Sequence, residues 1–276
     1  MTPPRSRWSA PLLAGLPALP LLGVAWSAVP RHPWDLHTLL FLNHLHVLPA
    51  SAWSALTVMG LGLSVFIVLA LFAQRQPHWP LAFLLCLVLA GGLTHAVKVA
   101  LDAPRPAAVV PPGQLVIIGQ TLRTHSMPSG HTVSAFAFAA LVILSLRRKA
   151  PHAPQASAAA RGVLGAAVMA AAVLVAWSRI AVGAHWPSDV LVGAGLGWFS
   201  GAVSLVLAER WMASARHTSR AWWLVLAAVQ IGAGVAMVRI DTGYPLAQWL
   251  QWALGAASVA SGLWHARLYR ARPTLA

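Results

Sequence analysis

Residues 124–134 read Thr124-His125-Ser126-Met127-Pro128-Ser129-Gly130-His131-Thr132-Val133-Ser134, and they lead directly into an apolar run that ends near residue 147. The stretch reads as a polar turn at the mouth of an apolar helix. Ser129 stands where a helix N-cap belongs. Gly130 has no side chain to hold a ligand away from the backbone. His131 follows in the first turn, so the amides of Gly130 and His131 and an imidazole face one point. A helix start of this kind attracts anions. A capped helix with an incidental histidine has the same local sequence, so the rest of the chain must decide between the two.

On either side lie apolar runs at about 9–29, 55–73, 79–101, 131–147, 161–180, 188–208, 221–240 and 246–266. Each approaches the roughly 20 residues needed to cross a bilayer. The run at 131–147 is near the short limit, which suits a helix whose start is drawn into a site. Of 276 residues, 58% are hydrophobic and 9% charged, against about 25% charged in soluble domains. Lipid offers no water to unpaired backbone groups, so the expected fold is all-α, a polytopic membrane bundle. The first run follows Arg5 and Arg7 and resembles a signal peptide, but it contains Pro17 and Pro20 and no clean cleavage site ends it. It reads as a retained anchor.

The formal net charge of +14 does not indicate nucleic acid, because the basic residues sit in short loops between apolar runs. With the N-terminus inside, Arg5, Arg7, Arg75, Arg147, Arg148, Lys149, Arg161, Arg210, Arg216, Arg220, Arg267, Arg270 and Arg272 lie on the inner side, thirteen in all. Six lie outside: Arg31, Lys98, Arg105, Arg123, Arg179 and Arg239. The positive-inside rule therefore places both termini in the cytoplasm. The outer loops are then 30–54, 102–130, 181–187 and 241–245, and 150–160 is an inner linker. Pro104, Pro106, Pro111 and Pro112 keep the start of the 102–130 loop from being helical. Cys86 is alone in an apolar run, which excludes an internal disulfide and a multi-cysteine metal site.

Three clusters carry chemistry. The first is Lys98, six residues, then Arg105-Pro106, two cations at one membrane face. Read alone, they are a snorkelling lysine and a headgroup-binding arginine. The second is Pro128-Ser129-Gly130-His131. The third is Ser178-Arg179, five residues, His185, three residues, Asp189. His185 and Asp189 lie about one turn apart, so the carboxylate can reach one ring nitrogen and make the other a better nucleophile. Read alone, Asp189 caps a helix and His185 is an interfacial ring. All three clusters fall on the outer face under a topology drawn without them, and that convergence favours a site. Three cations and a helix start ask for a multiply charged anion, and phosphate fits. Only five acidic residues exist in the chain and none cluster, so no set of carboxylates is available to hold magnesium or calcium. The expected chemistry uses no metal and no other cofactor.

The order Lys98-x6-Arg105-Pro106, Pro128-Ser129-Gly130-His131, Ser178-Arg179-x5-His185-x3-Asp189 resembles the type 2 phosphatidic acid phosphatase family, which shares its site with vanadium-dependent haloperoxidases. The resemblance spans about 95–210. It implies a six-helix core, here 1–210, and it does not explain the two further spans and cytoplasmic tail expected in 211–276. It implies that His185 attacks phosphorus to form a phosphohistidine and that Asp189 orients it. His131 would protonate the leaving oxygen and then help activate water. Lys98, Arg105, Arg179, Ser129 and the Gly130 amide would bind phosphoryl oxygens. The implied activity is a metal-independent lipid phosphatase at the outer face of a bacterial inner membrane. Its substrate would be a polyprenyl diphosphate, phosphatidic acid or phosphatidylglycerol phosphate, or a lipid A-type glycolipid. A lipid phosphotransferase uses the same first half-reaction. A non-catalytic binder or transporter is the rival of another class, but transporters place ionisable groups near the midplane. A haloperoxidase gains nothing from eight spans.

Other residues have two readings each. His95, one turn before Lys98, belongs behind the site or is a satisfied helix histidine. Arg123 and His125 touch substrate or pack the loop. His32, His37, His44 and His46 suit an interface better than a metal site, lacking acidic or cysteine partners. Asp241-Thr242-Gly243-Tyr244-Pro245 reads as a turn. Trp8, Trp53, Trp79, Trp186, Trp222 and Trp249 lie near span ends, as an interfacial belt would.

Overall fold

The computed structural model describes residues 33–45, 47–146, 157–214 and 219–270. The expected span at 9–29, with Arg5, Arg7, Trp8, Arg31, His32, His46, Arg147, Arg148, Lys149, most of the 150–160 linker, Arg216 and Arg272, lies outside those residues. The regular elements among the described residues are all helical. They are α1 (Pro33–His44), α2 (Ala50–Met59), α3 (Gly62–Leu71), α4 (His78–Leu101), α5 (Pro106–Val109), α6 (Gly130–Leu146), α7 (Ala158–Ala181), α8 (Pro187–Ser214), α9 (Arg220–Arg239) and α10 (Gln248–Arg270). A 3-10 turn at Pro245–Ala247 precedes α10.

Helices α4, α7, α8 and α9 are long and apolar enough to cross a membrane. The run expected as one span at 55–73 is instead α2 and α3, bent by 70°. Gly60 and Gly62 flank the break, where the Val58 carbonyl accepts from Ser64 Oγ at 2.6 Å as well as from the Leu61 amide at 3.1 Å. Helix α10 has 23 residues but carries Gln248, Gln251, Ser258, Ser261 and His265, and it is less apolar than the other long helices. The outer segment 30–54, expected as loop, contains α1. Its 12 residues reach only about 18 Å, too short to span. Asp35 near its start bonds Ser188 at the head of α8, and Asn43 near its end bonds the Ile180 and Ala181 carbonyls at the foot of α7. Helix α1 therefore lies across one end of the bundle.

That end is positioned by a glycine seam. Gly193, Gly197 and Gly201 lie four apart and so share one face of α8. A Cβ on Gly197 would stand 2.2 Å from the Val133 carbonyl oxygen, and one on Gly193 would stand 2.7 Å from that of Ser129. Only glycine lets α8 approach α6 this closely, as small residues do between membrane helices. Exposed aliphatic residues such as Val88, Leu93, Val163, Val173, Val225 and Val235 cover the outer faces of α4, α7 and α9. Among the expected belt tryptophans, Trp249 is exposed, but Trp53, Trp79 and Trp186 are buried and Trp222 is half-buried. Trp53 packs on Trp177, and Trp79 and Trp186 spend their indole N–H groups on Ser145 and the Pro104 carbonyl.

Candidate active site

Four helix ends meet beside α1: the foot of α4 with Lys98, the head of α6, the foot of α7 with Arg179, and the head of α8. Helix α8 begins at Pro187, so His185 stands just before it and Asp189 in its first turn. The Asp189 carboxylate is fully buried. Its Oδ2 accepts from Ser126 Oγ at 2.5 Å, from the Trp186 amide at 3.0 Å and from His185 Nδ1 at 3.2 Å. His185 Nε2 lies 3.1 Å from Arg105 Nη1. A guanidinium has donors only, so Nε2 holds the lone pair and Nδ1 the proton. The spacing of one turn between His185 and Asp189 brings Nδ1 to the carboxylate and leaves Nε2 turned away from it.

Asp35 supports the dyad from behind. Its two oxygens accept from the Ser188 amide at 2.9 Å and the Ser188 hydroxyl at 2.6 Å. A carboxylate at a helix start is favoured by the orphan amides and the helix dipole. It fixes the turn that carries both members of the dyad.

The cations are more engaged with protein than the sequence suggests. Lys98 Nζ donates to the His125 carbonyl at 2.5 Å and the Ser126 carbonyl at 3.3 Å. Arg105 donates to the carbonyls of Thr124, Ala184 and His125. These two residues thus tie the 123–126 strip to the site as well as charging it. Arg179 is 1% exposed. Its Nη1 donates to Tyr244 Oη at 3.0 Å, and its Nε has no hydrogen-bond partner among the described residues. His131 Nε2 is likewise buried without a partner. His131 lies within electrostatic reach of Arg179, His185, Arg105 and Lys98, so the three motif clusters form one constellation.

Ser129, fully buried, directly precedes α6 as the sequence predicts. Its amide donates to the Asp189 carbonyl at 3.0 Å, and its hydroxyl accepts from Thr132 at 3.1 Å. Nothing stands within 4 Å of the point where a Cβ on Gly130 would lie, so the backbone there is open to a ligand. A cavity of about 300 Å³ borders Gly130 and His131, and its other walls include Leu61, Phe83, Cys86, Leu87 and Ala90. It runs from the polar constellation to the break between α2 and α3.

The remaining candidates are placed away from the reacting atoms. His95 is exposed on α4. Arg123, exposed, donates to the Ala107 carbonyl at 3.0 Å and packs the loop. The His125 ring faces Asp102 at 3.5 Å, and it is the His125 carbonyl that meets Lys98 and Arg105. His37 and His44 are exposed on α1. The segment 241–245 is a turn, closed by the Gly243 amide on Asp241 Oδ1 at 2.8 Å. Three contributors escape the sequence reading: Asp35, Ser126 and Tyr244. Asp35 had a signal, being one of five acids in an apolar chain. Ser126 and Tyr244 had none.

Comparison with known proteins follows the same lines. Residues 79–213 match the family model described as the PAP2 superfamily. The chain is similar to the crystal structure of LpxE from Aquifex aeolicus, at 27% identity and a TM-score of 0.53, over 64% of this chain and 98% of that one. No curated protein matches.

Proposed function

Residues 79–213 belong to the PAP2 superfamily, which makes the chain a phosphatase, and on that premise we propose that it hydrolyses a lipid phosphate or diphosphate through a phosphohistidine on His185. The observation that carries this is the buried dyad: Asp189 holds Nδ1–H, and Nε2 turns its lone pair to Arg105, one of the three cations gathered with His131. Two buried orphan atoms, Arg179 Nε and His131 Nε2, are those that phosphoryl and leaving-group oxygens would satisfy. The apolar cavity beside His131 suits a substrate with a hydrocarbon tail.

In the first step, the His185 Nε2 lone pair forms the N–P bond as the P–O bond to the lipid breaks. His131 gives its proton to the departing oxygen. In the second, His131 takes a proton from water, whose oxygen attacks phosphorus, and the N–P bond breaks to release phosphate. Arg179, the Gly130 amide, Lys98 and Arg105 stabilise the charge that the phosphoryl oxygens carry through both steps. An incoming phosphoryl oxygen takes over the Arg105 Nη1 donor that otherwise occupies Nε2.

The test is a panel of phosphatidic acid, polyprenyl diphosphate and a phosphorylated glycolipid, with purified protein quenched in alkali. Phosphate release with an acid-labile, alkali-stable phosphoprotein is expected, and turnover with no such adduct would refute the covalent route. Phosphate recovered on an added lipid rather than in water would make the enzyme a transferase. The same reading places the site on the outer face, by the charge bias of the loops. Gln114 is exposed on the 102–130 loop and serves as the reporter. In a Cys86→Ala background, an impermeant maleimide should label Gln114→Cys in intact spheroplasts and Ala158→Cys only after lysis.

A further inference from the structure

The turn between α9 and α10 lies outside residues 79–213, yet it reaches the phosphate site. Tyr244 is 5% exposed and its hydroxyl accepts from Arg179 Nη1 at 3.0 Å. The guanidinium carbon also lies 5.6 Å from the centre of the Tyr244 ring. Arg105 is within electrostatic reach of the same hydroxyl. The turn is docked on several sides. The Gln120 amide donates to the Gly243 carbonyl at 3.1 Å, and the 3-10 turn that follows packs on α2. Gly119, at φ +81°, faces it so closely that a Cβ there would stand 2.4 Å from the Gly243 oxygen and 2.7 Å from the Tyr244 ring. Thr242 Oγ1 ties the turn to Gln251 of α10 at 3.1 Å.

From this juxtaposition we propose that the C-terminal helix pair is part of the phosphate site, with Tyr244 as the residue that positions Arg179. An arginine has five donors on a planar head at the end of a mobile stem. Buried with Nη1 held by the Tyr244 hydroxyl and its guanidinium carbon 5.6 Å from the ring centre, Arg179 loses that freedom before ligand arrives. Its Nε is then presented to the phosphoryl oxygen in a fixed direction. Arg179 binds the anion, and Tyr244 acts through it.

The experiment measures orthovanadate binding by titration calorimetry on the full-length protein in detergent, alongside phosphate release from lipid substrates. Vanadate stands in for the transferring phosphoryl group. Tyr244→Phe keeps the ring and removes only the hydroxyl. It should weaken vanadate binding about tenfold, the scale of a hydrogen bond to a charged group, with the protein still folded and its ligand-free melting temperature lowered by at most several degrees. In an Arg179→Ala background the same substitution should change vanadate binding no further. Gly119→Ala, which keeps the tyrosine hydroxyl but pushes away the turn that bears it, should weaken binding in the same sense. Unchanged vanadate affinity in Tyr244→Phe, or an equal loss with and without Arg179, would overturn the proposal. The proposal rests on the phosphatase reading, and the two fail separately. Wild-type protein that binds vanadate in a Tyr244-dependent way but releases no phosphate from lipid sinks only that reading. Turnover that is indifferent to Tyr244→Phe, with unchanged vanadate affinity, sinks only this one.

Discussion

The α6–α8 seam and the α9–α10 seam are both closed by glycine but are used differently. In the first, Gly193, Gly197 and Gly201 press on the backbone of Ser129, Val133 and Ala137. In the second, a Cβ on Gly234 would stand 2.6 Å from the Gly255 carbonyl and one on Gly262 2.8 Å from that of Ala227. The first seam brings the heads of its two helices together at one end, with His131 and Asp189 in their first turns and His185 just before α8. The second carries polar groups along its length. Gln230 donates to the Ala70 carbonyl and to Ser261, its Oε1 meets His265 Nδ1, and Ser258 Oγ donates to the Gln230 carbonyl. Polar groups bonded to one another within a seam hold two helices together, and there the one atom of this set left without a partner, His265 Nε2, has no cation or carboxylate beside it among the hydrogen bonds and ion pairs of the described residues. Polar groups at the end of a dry seam are held as firmly but face an opening. The contrast predicts that histidines of the two seams behave oppositely when removed.

His185→Ala should produce the largest effect on chemistry. Loss of the nucleophile should lower kcat by about four powers of ten or more, a loss far larger than any fall in melting temperature from the two ring hydrogen bonds removed. Stopped phosphate-release assays at high enzyme concentration set the residual rate. A residual of more than a few per cent would mean that the first seam does not carry the reaction.

Gly197→Ala should damage both activity and stability. The new Cβ meets backbone, which cannot swing aside as a side chain can. Overpacking of this sort costs about 1–3 kcal/mol, and the shift parts His131 from His185. A drop in kcat of about a hundredfold with a lower melting temperature is expected. Preserved activity would show that the seam tolerates opening and that the close approach is incidental.

The parts of this architecture that were legible in the sequence are those written locally. His185 and Asp189 are one turn apart, so their contact follows from spacing. Pro187 and Ser129-Gly130 mark helix starts, and α8 and α6 begin beside them. What was not legible is what distant segments bring. Asp35 and Ser188 are 153 residues apart, and Tyr244 and Arg179 are 65 apart. Neither pair has a spacing rule. The bend at Gly60–Leu61 is invisible to hydropathy averaged over a window, because both halves are apolar. Backbone carbonyls have no side-chain signature, so Lys98 and Arg105 read as anion binders alone, not also as clamps on residues 124–126. Trp53 and Trp186 lie near helix ends in the sequence, but in space Trp53 packs on Trp177 and Trp186 lies against Leu39 of α1.

Asp35→Asn tests one of those non-local supports. The substitution keeps the shape but removes the charge and one of two acceptors facing Ser188. Loss of a capping interaction costs about 0.5–2 kcal/mol. Because the capped turn carries the dyad, kcat should fall about tenfold while KM changes little. A fall in melting temperature with kcat unchanged would reduce Asp35 to a structural cap.

His265→Ala should have the smallest effect on catalysis, and it sets the floor of the comparison. His265 is 1% exposed, bonds Gln230 at 2.8 Å and packs on Trp223 at 5.4 Å between ring centroids. Its removal leaves the Gln230 oxygen unpartnered and opens a gap beside Trp223. The expected cost is about 1–3 kcal/mol, read as a melting temperature lower by several degrees. The site should not feel it, because the ring sits near the end of α10, almost the whole helix away from the turn that bears Tyr244. Twenty-one residues of helix separate Tyr244 from His265, about 30 Å at 1.5 Å per residue. kcat/KM should therefore stay within about twofold of wild type. A larger loss, with vanadate affinity falling in step, would mean that the seam transmits its disturbance along α10 to Arg179. The α9–α10 pair would then govern the position of Arg179 along its whole length, rather than only at the turn that touches it.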